Sequence, residues 1–373
     1  GALARSRCTR SGFFLGGHVI ETQLWHPVIA GMHLRNEPVA VSLLGQDVVL
    51  WREHGHEGQP GVVHAWADRC PHRGAKLSLG RVLTHLHGAR LECPYHGWQF
   101  AGDGAAAQGH HGAPVAVGRC VHVPAAPTFE PPAAHCAQRF EAQERHGLVW
   151  VRLERPDRSQ LPASLSSPPA FEPWDDPLWR QVICGPYVVD TSAPRLVENF
   201  LDLSHFGFVH EGWLGARSHA QVDTGRVEEG ADGVHARECK AWQPQGYAGA
   251  EGGGWVAYRY TVPHPFAAIL RKDAAEGDPV SNAIALFIRP DGPEACTAWF
   301  AMATLGDLSD DEELRAFQDT VFGQDKPIVE SQSPTRLPIG QDGAIAEVHG
   351  PADRMSSAYR RYLARTGVSL GVC

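Results

Sequence analysis

The sequence predicts an α+β protein with two domains, an all-β domain followed by a domain that combines an antiparallel sheet with helices. Short apolar runs between turn residues, together with two loops that each contain a cysteine and a histidine, predict the first domain. Strand-like runs after residue 215 and two helical patterns behind them predict the second. A chain of 373 residues is long enough for two hydrophobic cores. We therefore expect a lead-in at 1–24, the first domain at 25–154 and the second at 155–373.

The strands of the first domain are predicted from four apolar runs. The first two are separated by the polar pair Gln46-Asp47, which predicts a β-hairpin, and the other two predict single strands. The four runs are 39–44, 48–51, 62–67 and 147–153. Residues 155–178 are rich in Pro and Ser, so we expect a linker that runs over the surface.

The second domain is predicted from strands and helix signals. Three apolar runs predict an antiparallel sheet, at 256–262, 283–288 and 297–302. Residues 197–210 are expected on a helix. A capping box from Ser309 predicts a second helix, which Pro327 breaks or kinks. A last helix over 352–365 is expected to stop at Gly367.

Composition excludes several classes of protein. The net charge is -9 with acids and bases interspersed, which argues against nucleic-acid binding and against adhesion to an anionic membrane. No apolar run approaches the roughly 18 residues that span a bilayer. The N-terminus lacks the long apolar centre of a secretion signal, so we expect a disordered lead-in, with an organelle-targeting segment as the alternative. Nine scattered cysteines indicate a reducing compartment, and we expect a cytoplasmic protein.

Two loops of the first domain form a metal-binding pattern. Cys70 and His72 stand in one loop, and Cys93 and His96 in the other. Two thiolates and two imidazoles suit a structural zinc site, or a [2Fe–2S] cluster of the Rieske type with two Cys on one iron and two His on the other. The flanks, Cys-Pro-His-Arg-Gly and Cys-Pro-Tyr-His-Gly-Trp, resemble the Rieske consensus and favour the cluster. The gap between the loops is longer than usual, around 84–88.

A second pattern lies at His205 and His210. Two histidines and one carboxylate leave open positions on a mononuclear iron that activates O2. Five residues correspond to about 140° on a helix, so the helix must distort or end between them, and Gly207 makes distortion easy. The alternative is a pair of hydrogen-bonded core histidines. The third ligand must come from elsewhere: Asp325 is the best candidate, and Asp319 and Glu330 are its rivals, between which spacing does not choose.

The two patterns together resemble the catalytic α subunit of the Rieske non-haem iron oxygenases. The residues concerned are the two Cys/His loops, Asn199-x-x-Asp202-x-x-His205-x-x-x-x-His210 and the later Gln-Asp-Lys-Pro-Ile-Val-Glu-Ser-Gln from Gln324. The similarity runs from about 25 to 363 and is strongest to the branch of N- and O-demethylases and monooxygenases. It implies a Rieske domain followed by a helix-grip-like catalytic domain.

The resemblance also implies roles for single residues. Asp325 is the third iron ligand, although Gln324 stands where an acid is common. Asp202 bridges to a Rieske histidine of a neighbouring subunit, so the working unit is a homo-oligomer, a trimer by resemblance. Asn199 lies one helical turn before Asp202, where it is either close to the iron or a capping or packing residue.

The activity implied is oxidation of a C–H bond by O2. A separate NAD(P)H-dependent reductase, with or without a ferredoxin, supplies electrons, because this chain lacks the Gly-rich nicotinamide fingerprint. We expect N- or O-demethylation of a small aromatic, heterocyclic or alkaloid substrate. Hydroxylation or oxidative cyclisation of a natural product, and an electron carrier without oxygenase activity, are the alternatives. Five aromatics are candidate pocket residues, most of them expected to be ordinary core: Trp242, Tyr247, Trp255, Tyr258 and Phe287.

Overall fold

The computed structural model describes residues 19–53, 55, 61–85, 88–102, 116–156, 161–244, 252–273, 280–340 and 347–373. These residues form strands in three antiparallel sheets, together with five α-helices. The predicted α+β class, with an all-β first part and a sheet with helices behind it, is confirmed.

The first part of the chain contains ten strands in two sheets. They are β1 (His26–Ala30), β2 (Val39–Leu43), β3 (Gln46–Arg52), β4 (Val63–Ala67), β5 (Arg81–His85), β6 (Gly88–Glu92), β7 (Gln99–Ala101), β8 (Cys120–His122), β9 (Arg139–Arg145) and β10 (Leu148–Arg152). One sheet has the order β1-β10-β9-β4-β3-β2, and the other has the order β5-β6-β7-β8. The smaller sheet holds the two Cys/His loops, one before β5 and one between β6 and β7.

The first hairpin is confirmed, but the position of its turn differs from the prediction. Leu44 and Gly45 make a two-residue turn with φ of 50° and 78°, and Leu43 pairs with Gln46 across it. Both central residues of a tight turn that matches the strand twist need positive φ. Gln46 and Asp47 therefore belong to β3, and the polar pair lies within the strand.

The second part contains eight strands and the helices. They are α1 (Glu172–Asp175), β11 (Arg180–Val189), α2 (Ala193–Leu201), α3 (Phe206–Val209), β12 (Val222–Asp223), β13 (Arg226–Gly230), β14 (Gly233–Gln243), β15 (Gly254–His264), β16 (Ala267–Asp273), β17 (Ser281–Gly292), β18 (Ala295–Leu305), α4 (Asp311–Glu330) and α5 (Arg354–Thr366). The sheet order is β11-β18-β17-β16-β15-β14-β12, and β13 pairs with β14.

This large sheet separates two cores because side chains alternate between its faces. On β17, Ala283 and Phe287 share a core with Trp150 of β10 and with Trp25, which lies just before β1. Leu286 lies on the other face, among residues of α2, α4 and α5. His205 and His210 lie on the helical side, where Leu286 lines the same cavity as they do.

Two helix predictions change in detail. The capping box of α4 is formed by Asp310 and Glu313, one residue later than predicted from Ser309. Pro327 lies inside α4, which continues to Glu330 and is not broken there. The last helix ends at Gly367 as predicted, with φ of 79°. No helix in the described part of the chain is both long and apolar enough to cross a membrane.

The predicted linker is packed more tightly than expected. Its described residues include α1, and Leu165 and Phe171 are each 1% exposed. Phe171 belongs to the core between the two sheets, together with Trp150. This segment therefore joins the domains through a shared core as well as through the chain.

Candidate metal centres

The two Cys/His loops have the same local fold. The Gly74 N–H donates to the Cys70 carbonyl at 2.9 Å, and the Gly97 N–H donates to the Cys93 carbonyl at 3.1 Å. Both glycines have positive φ, 73° and 70°, which glycine adopts without steric cost. The chain thus turns back on itself just after each histidine, as the flanking Pro and Gly residues predict.

The loops place cysteines inside and histidines outside. Cys70 and Cys93 are 1% and 2% exposed, whereas His72 is half-buried and His96 is exposed. The two imidazole rings lie 4.7 Å apart, and Trp98 stacks on His72 at 4.3 Å. This arrangement fits a binuclear cluster with a buried thiolate end and a histidine end at the surface.

The two buried sulfurs need a cation beside them to lose their protons. Burial raises the pKa of Cys70 to about 12, and the neighbouring Cys93 thiol adds to the rise. Cysteine binds a metal as the thiolate, so a bound metal would supply the charge that keeps these sulfurs deprotonated.

The second site is formed where α2 ends. Asp202 caps α2 in an extended conformation, and its Oδ1 accepts from the Ser204 N–H at 2.7 Å. Such Asx contacts compete with helical hydrogen bonds, which is why the helix stops here. His205 and His210 then stand at the two ends of the single turn α3. The helix predicted over 197–210 is therefore interrupted between Leu201 and Phe206, and α3 ends at Val209, so the helix ends between the two histidines as expected.

Gly207 has a different role from the one predicted. It does not take up a distortion in the left-handed region; instead it allows close contact with a neighbouring segment. A Cβ at this position would lie 2.9 Å from the carbonyl oxygen of Ala216. Glycine here lets the chain after α3 fold back against it.

Three side-chain atoms converge at this site. His205 Nε2 and His210 Nε2 are 3.1 Å apart, and Asp325 Oδ1 lies 3.4 Å and 3.2 Å from them. Ligands bound at about 2.1 Å are separated by about 3.0 Å at right angles and about 3.4 Å at tetrahedral angles. The spacing therefore suits one metal ion held by two histidines and one carboxylate.

The rival acids lie elsewhere. Asp319 accepts a hydrogen bond from the Tyr187 hydroxyl. Glu330 pairs with Lys326 and accepts from the Asp190 N–H at 2.9 Å. Asp325 alone of the three candidates belongs to the group with His205 and His210.

Further residues orient these three groups. His210 Nδ1 donates to Gln324 Oε1 at 2.8 Å, and His205 Nδ1 donates to Asp202 Oδ2 at 3.3 Å. Both contacts turn Nε2 towards the common centre, as outer partners of metal-binding histidines do. Asn199 donates to Asp325 Oδ1 at 3.2 Å and so holds the carboxylate.

The electrostatics of the site are coupled. Burial acts to lower the pKa of His210, but hydrogen bonding to Asp325 and its charge raise it overall. Burial opposes ionisation of Asp202, whereas hydrogen bonds and the charge of His205 hold its pKa below the ordinary value. The Asp202 carboxylate is therefore negative at neutral pH.

Comparison with known proteins agrees with both sites. Residues 24–130 match the family described as the Rieske [2Fe-2S] domain, and residues 189–368 match the vanillate O-demethylase oxygenase C-terminal domain. The methylxanthine N1-demethylase NdmA of Pseudomonas putida is 33% identical over 351 residues, which are 91% of this chain and 87% of that protein. The chain belongs to the Rieske non-haem iron oxygenases.

Two more comparisons bear on this Rieske oxygenase. A solved structure of NdmA from Pseudomonas putida CBB5 with caffeine has a TM-score of 0.67 and 31% identity, covering 92% of this chain and 90% of that chain. The oxidoreductase NdmD of Pseudomonas putida is 33% identical over 138 residues, which are 37% of this chain and 20% of that protein. Membership of the family assigns the cofactors, a Rieske [2Fe–2S] cluster and a mononuclear non-haem iron.

The oxygenase site opens into a cavity between the helices and the large sheet. Ten apolar residues line it: Leu196, Phe200, Phe206, Leu214, Leu270, Ile284, Leu286, Phe300, Phe317 and Val321. The three converging residues border the same cavity, together with five other polar side chains: Asn199, Gln243, Tyr258, Lys272 and Gln318. A small organic molecule in this space would lie against the metal-binding atoms.

Of the five aromatic candidates, Tyr258 lines the cavity. Phe287 is fully buried on the opposite face of the sheet. Trp242 stacks on His219 at 4.1 Å, and Trp255 is 54% exposed. Tyr247 lies outside the described residues.

Sequence reasoning missed two groups of site residues in this Rieske oxygenase. Gln324 was noted only as a departure from the family pattern, although its position next to Asp325 was a signal that it belongs to the site. Gln243 and Lys272 carry no motif, because their place in the cavity depends on strand register across the sheet.

Proposed function

We propose that this Rieske oxygenase removes an N- or O-methyl group from a small planar organic substrate. The observation that supports the proposal is the position of His205, His210 and Asp325 at one end of an apolar cavity. A methyl group needs no hydrogen-bond partner, so apolar side chains can hold it against the metal-binding atoms. Similarity to the methylxanthine N1-demethylase NdmA also supports removal of a methyl group.

Demethylation consumes one O2 and two electrons for each methyl group removed. A substrate N–CH3, O2, two electrons and two protons give N–CH2OH and water, and the N–CH2OH then loses formaldehyde to leave N–H. The [2Fe–2S] cluster supplies single electrons when bound, and the mononuclear iron supplies O2 activation. Hydroxylation without loss of carbon is the alternative for a substrate whose oxidised carbon is not a methyl on N or O.

The residues have distinct proposed roles. Cys70, His72, Cys93 and His96 hold the cluster, with the histidines at the accessible end. His205, His210 and Asp325 hold the iron. Asn199 keeps the Asp325 carboxylate turned towards the histidines, and the apolar residues of the cavity exclude bulk water from the reacting methyl group.

Asp202 has the role of a junction between subunits. Its side chain is 32% exposed, and one oxygen already binds His205. It therefore has room to accept from His72 or His96 of a neighbouring copy, which lie at an accessible surface. We propose a homo-oligomer, a trimer by family resemblance. A protein that is monomeric by analytical ultracentrifugation and fully active in turnover under the same conditions would contradict it.

The same proposal covers partners, location and domain limits. An NAD(P)H-dependent reductase supplies the electrons, and similarity to the oxidoreductase NdmD supports a partner of that kind. The eight described cysteines are free thiols, in keeping with a reducing, cytoplasmic location. We place the Rieske domain at 25–154 and the catalytic domain at 155–373; the family matches cover 24–130 and 189–368.

The test begins with metal content. Anaerobically purified protein is expected to contain iron and acid-labile sulfide, and zinc in their place would refute the cluster. With a surrogate reductase, a panel of methylated aromatics, xanthines and alkaloids should then release formaldehyde. His205→Ala should keep the visible cluster spectrum and lose turnover. New alcohols without formaldehyde would move the assignment to hydroxylation.

A further inference from the structure

Gln243 and Tyr258 are two of the five polar side chains that line the catalytic cavity beside the metal-binding group. Gln243, at the end of β14, and Tyr258, on β15, are each 1% exposed and line the cavity. Within the described part of the chain, Gln243 Nε2 and the Tyr258 hydroxyl have no hydrogen-bond partner. A buried polar atom without a partner is costly, so each atom is a candidate contact for a ligand.

The orientation of the Gln243 amide follows from its neighbour. Lys272 Nζ lies 3.2 Å from Gln243 Oε1. An ammonium group only donates hydrogen bonds, so the amide oxygen must face it. The amide N–H2 group is then left as a donor at the cavity wall.

Tyr258 presents a second donor on the adjacent strand. Its ring packs edge-on against Phe206 at 6.1 Å, and Phe206 in turn contacts His205 and His210. Burial raises the pKa of the Tyr258 hydroxyl well above its ordinary value. The hydroxyl therefore keeps its proton at neutral pH and is available to donate.

We propose that these two donors select substrates with a carbonyl oxygen, held by Gln243 Nε2 and the Tyr258 hydroxyl while a methyl group of the same molecule faces the metal-binding atoms. This inference rests on the proposed oxygenase function and names its substrate class: neutral, planar, N- or O-methylated ring compounds that carry a carbonyl.

The wall favours a neutral carbonyl over a carboxylate. Both unpartnered donors are neutral groups. The Lys272 ammonium is directed at Gln243 Oε1 and lies 5.9 Å from the centre of the Tyr258 ring. A carboxylate would also lose its hydration among apolar side chains and approach the negative Asp325.

The experiment compares two ligands that differ in one carbonyl. Binding of 1-methyloxindole, which has the carbonyl, and of 1-methylindole, which lacks it, is measured by calorimetry on the anaerobic holoenzyme. The wild-type protein should bind the oxindole more tightly by about tenfold, as expected when buried donors regain partners. No preference for the oxindole would overturn the inference.

Variants then test the named atoms. Gln243→Met and Tyr258→Phe should each weaken oxindole binding about fivefold to tenfold and leave indole binding within twofold. Tyr260→Phe is the matched control. The Tyr260 hydroxyl is on the same strand and is also buried without a hydrogen-bond partner among the described residues, but it does not line this cavity. The inference would be overturned if Gln243→Met and Tyr258→Phe lost affinity equally for both ligands. It would also be overturned if Tyr260→Phe lost as much affinity for the oxindole as they do. Iron content and melting temperature confirm that each variant is folded.

Two outcomes separate this inference from the proposed function. A holoenzyme that releases formaldehyde from N-methyl compounds while ignoring the carbonyl contradicts only the inference. Carbonyl-dependent binding without formaldehyde contradicts only the demethylation. A third ligand, the anion 4-methoxybenzoate, tests recognition of a carboxylate. If it binds more tightly than 1-methyloxindole and loses affinity in Lys272→Met, the cavity binds a carboxylate through Lys272 and the inference fails.

Discussion

Replacing Gln324 by Leu is expected to weaken metal binding at the catalytic site. The Gln324 carbonyl oxygen is 2.8 Å from His210 Nδ1, and His210 is 1% exposed. Leucine removes the acceptor and leaves a buried N–H without a partner. It also removes the contact that turns His210 Nε2 towards Asp325. The loss should be 10- to 100-fold in metal affinity, or about 1.4–2.7 kcal/mol.

Cobalt provides the assay, because its affinity can be measured without turnover. Protein that keeps its cluster but has lost the mononuclear iron is titrated with Co(II) at pH 7 against a fluorescent chelator, whose signal reports the free metal and so fixes the affinity. Gln324→Glu should bind at least as tightly as wild type, since a carboxylate is a stronger acceptor. Gln318→Leu is the control, because Gln318 is on the same helix and is not a hydrogen-bond partner of His210. Unchanged affinity in Gln324→Leu, or equal loss in the control, would refute the reasoning.

Two further predictions concern stability, measured by urea unfolding. Gly207→Ala should destabilise the protein by about 1–3 kcal/mol, because its Cβ would lie 2.9 Å from the Ala216 oxygen. Gly323→Ala should stabilise α4 by about 0.5–1 kcal/mol, since nothing lies within 4 Å of its Cβ. If the Gly323 variant were the less stable of the two, the packing argument would be contradicted. Glu347→Gln should cost about 1–3 kcal/mol at pH 7, because Glu347 binds the buried Arg195 at 2.6 Å. Burial opposes ionisation of Glu347, but Arg195 and Arg360 hold its pKa below the ordinary value, so its stabilisation is present above about pH 4.5 and is lost as the pH falls through the folded pKa. A difference between variant and wild type that does not shrink as the pH falls below about 4.5 would show that charge is not the cause.

Much of the fold follows from local patterns. Seven strands and the last helix were predicted because each repeats a short-range signal, alternation or a capping residue, that needs no knowledge of distant residues. These strands are β2, β3, β4, β10, β15, β17 and β18; the other strands of the described residues were not predicted. The errors were local as well. The turn at Leu44 and Gly45 requires positive φ at a leucine, which residue type does not predict, and Asp202 ended α2 through a contact two residues away that competed with helical propensity.

The site divides in the same way between sequence and tertiary structure. The sequence by itself predicted the cysteine and histidine ligand types and the two histidines at 205 and 210, since these lie within short segments whose spacing limits their geometry, and the family resemblance favoured Asp325 as the third ligand. Only the tertiary structure brought Asp325 beside the two histidines and left its rivals elsewhere. It also turned Gln324 towards His210 and Asn199 towards Asp325, and placed Gln243 and Tyr258 in the cavity wall. The contacts of Asn199 and His210 with α4 join residues more than a hundred positions apart and depend on the packing of α4 against α2. The places of Gln243 and Tyr258 depend on the register of the sheet. Spacing along the chain does not encode such distances, because they are set by the burial of apolar faces that the helices and the sheet share.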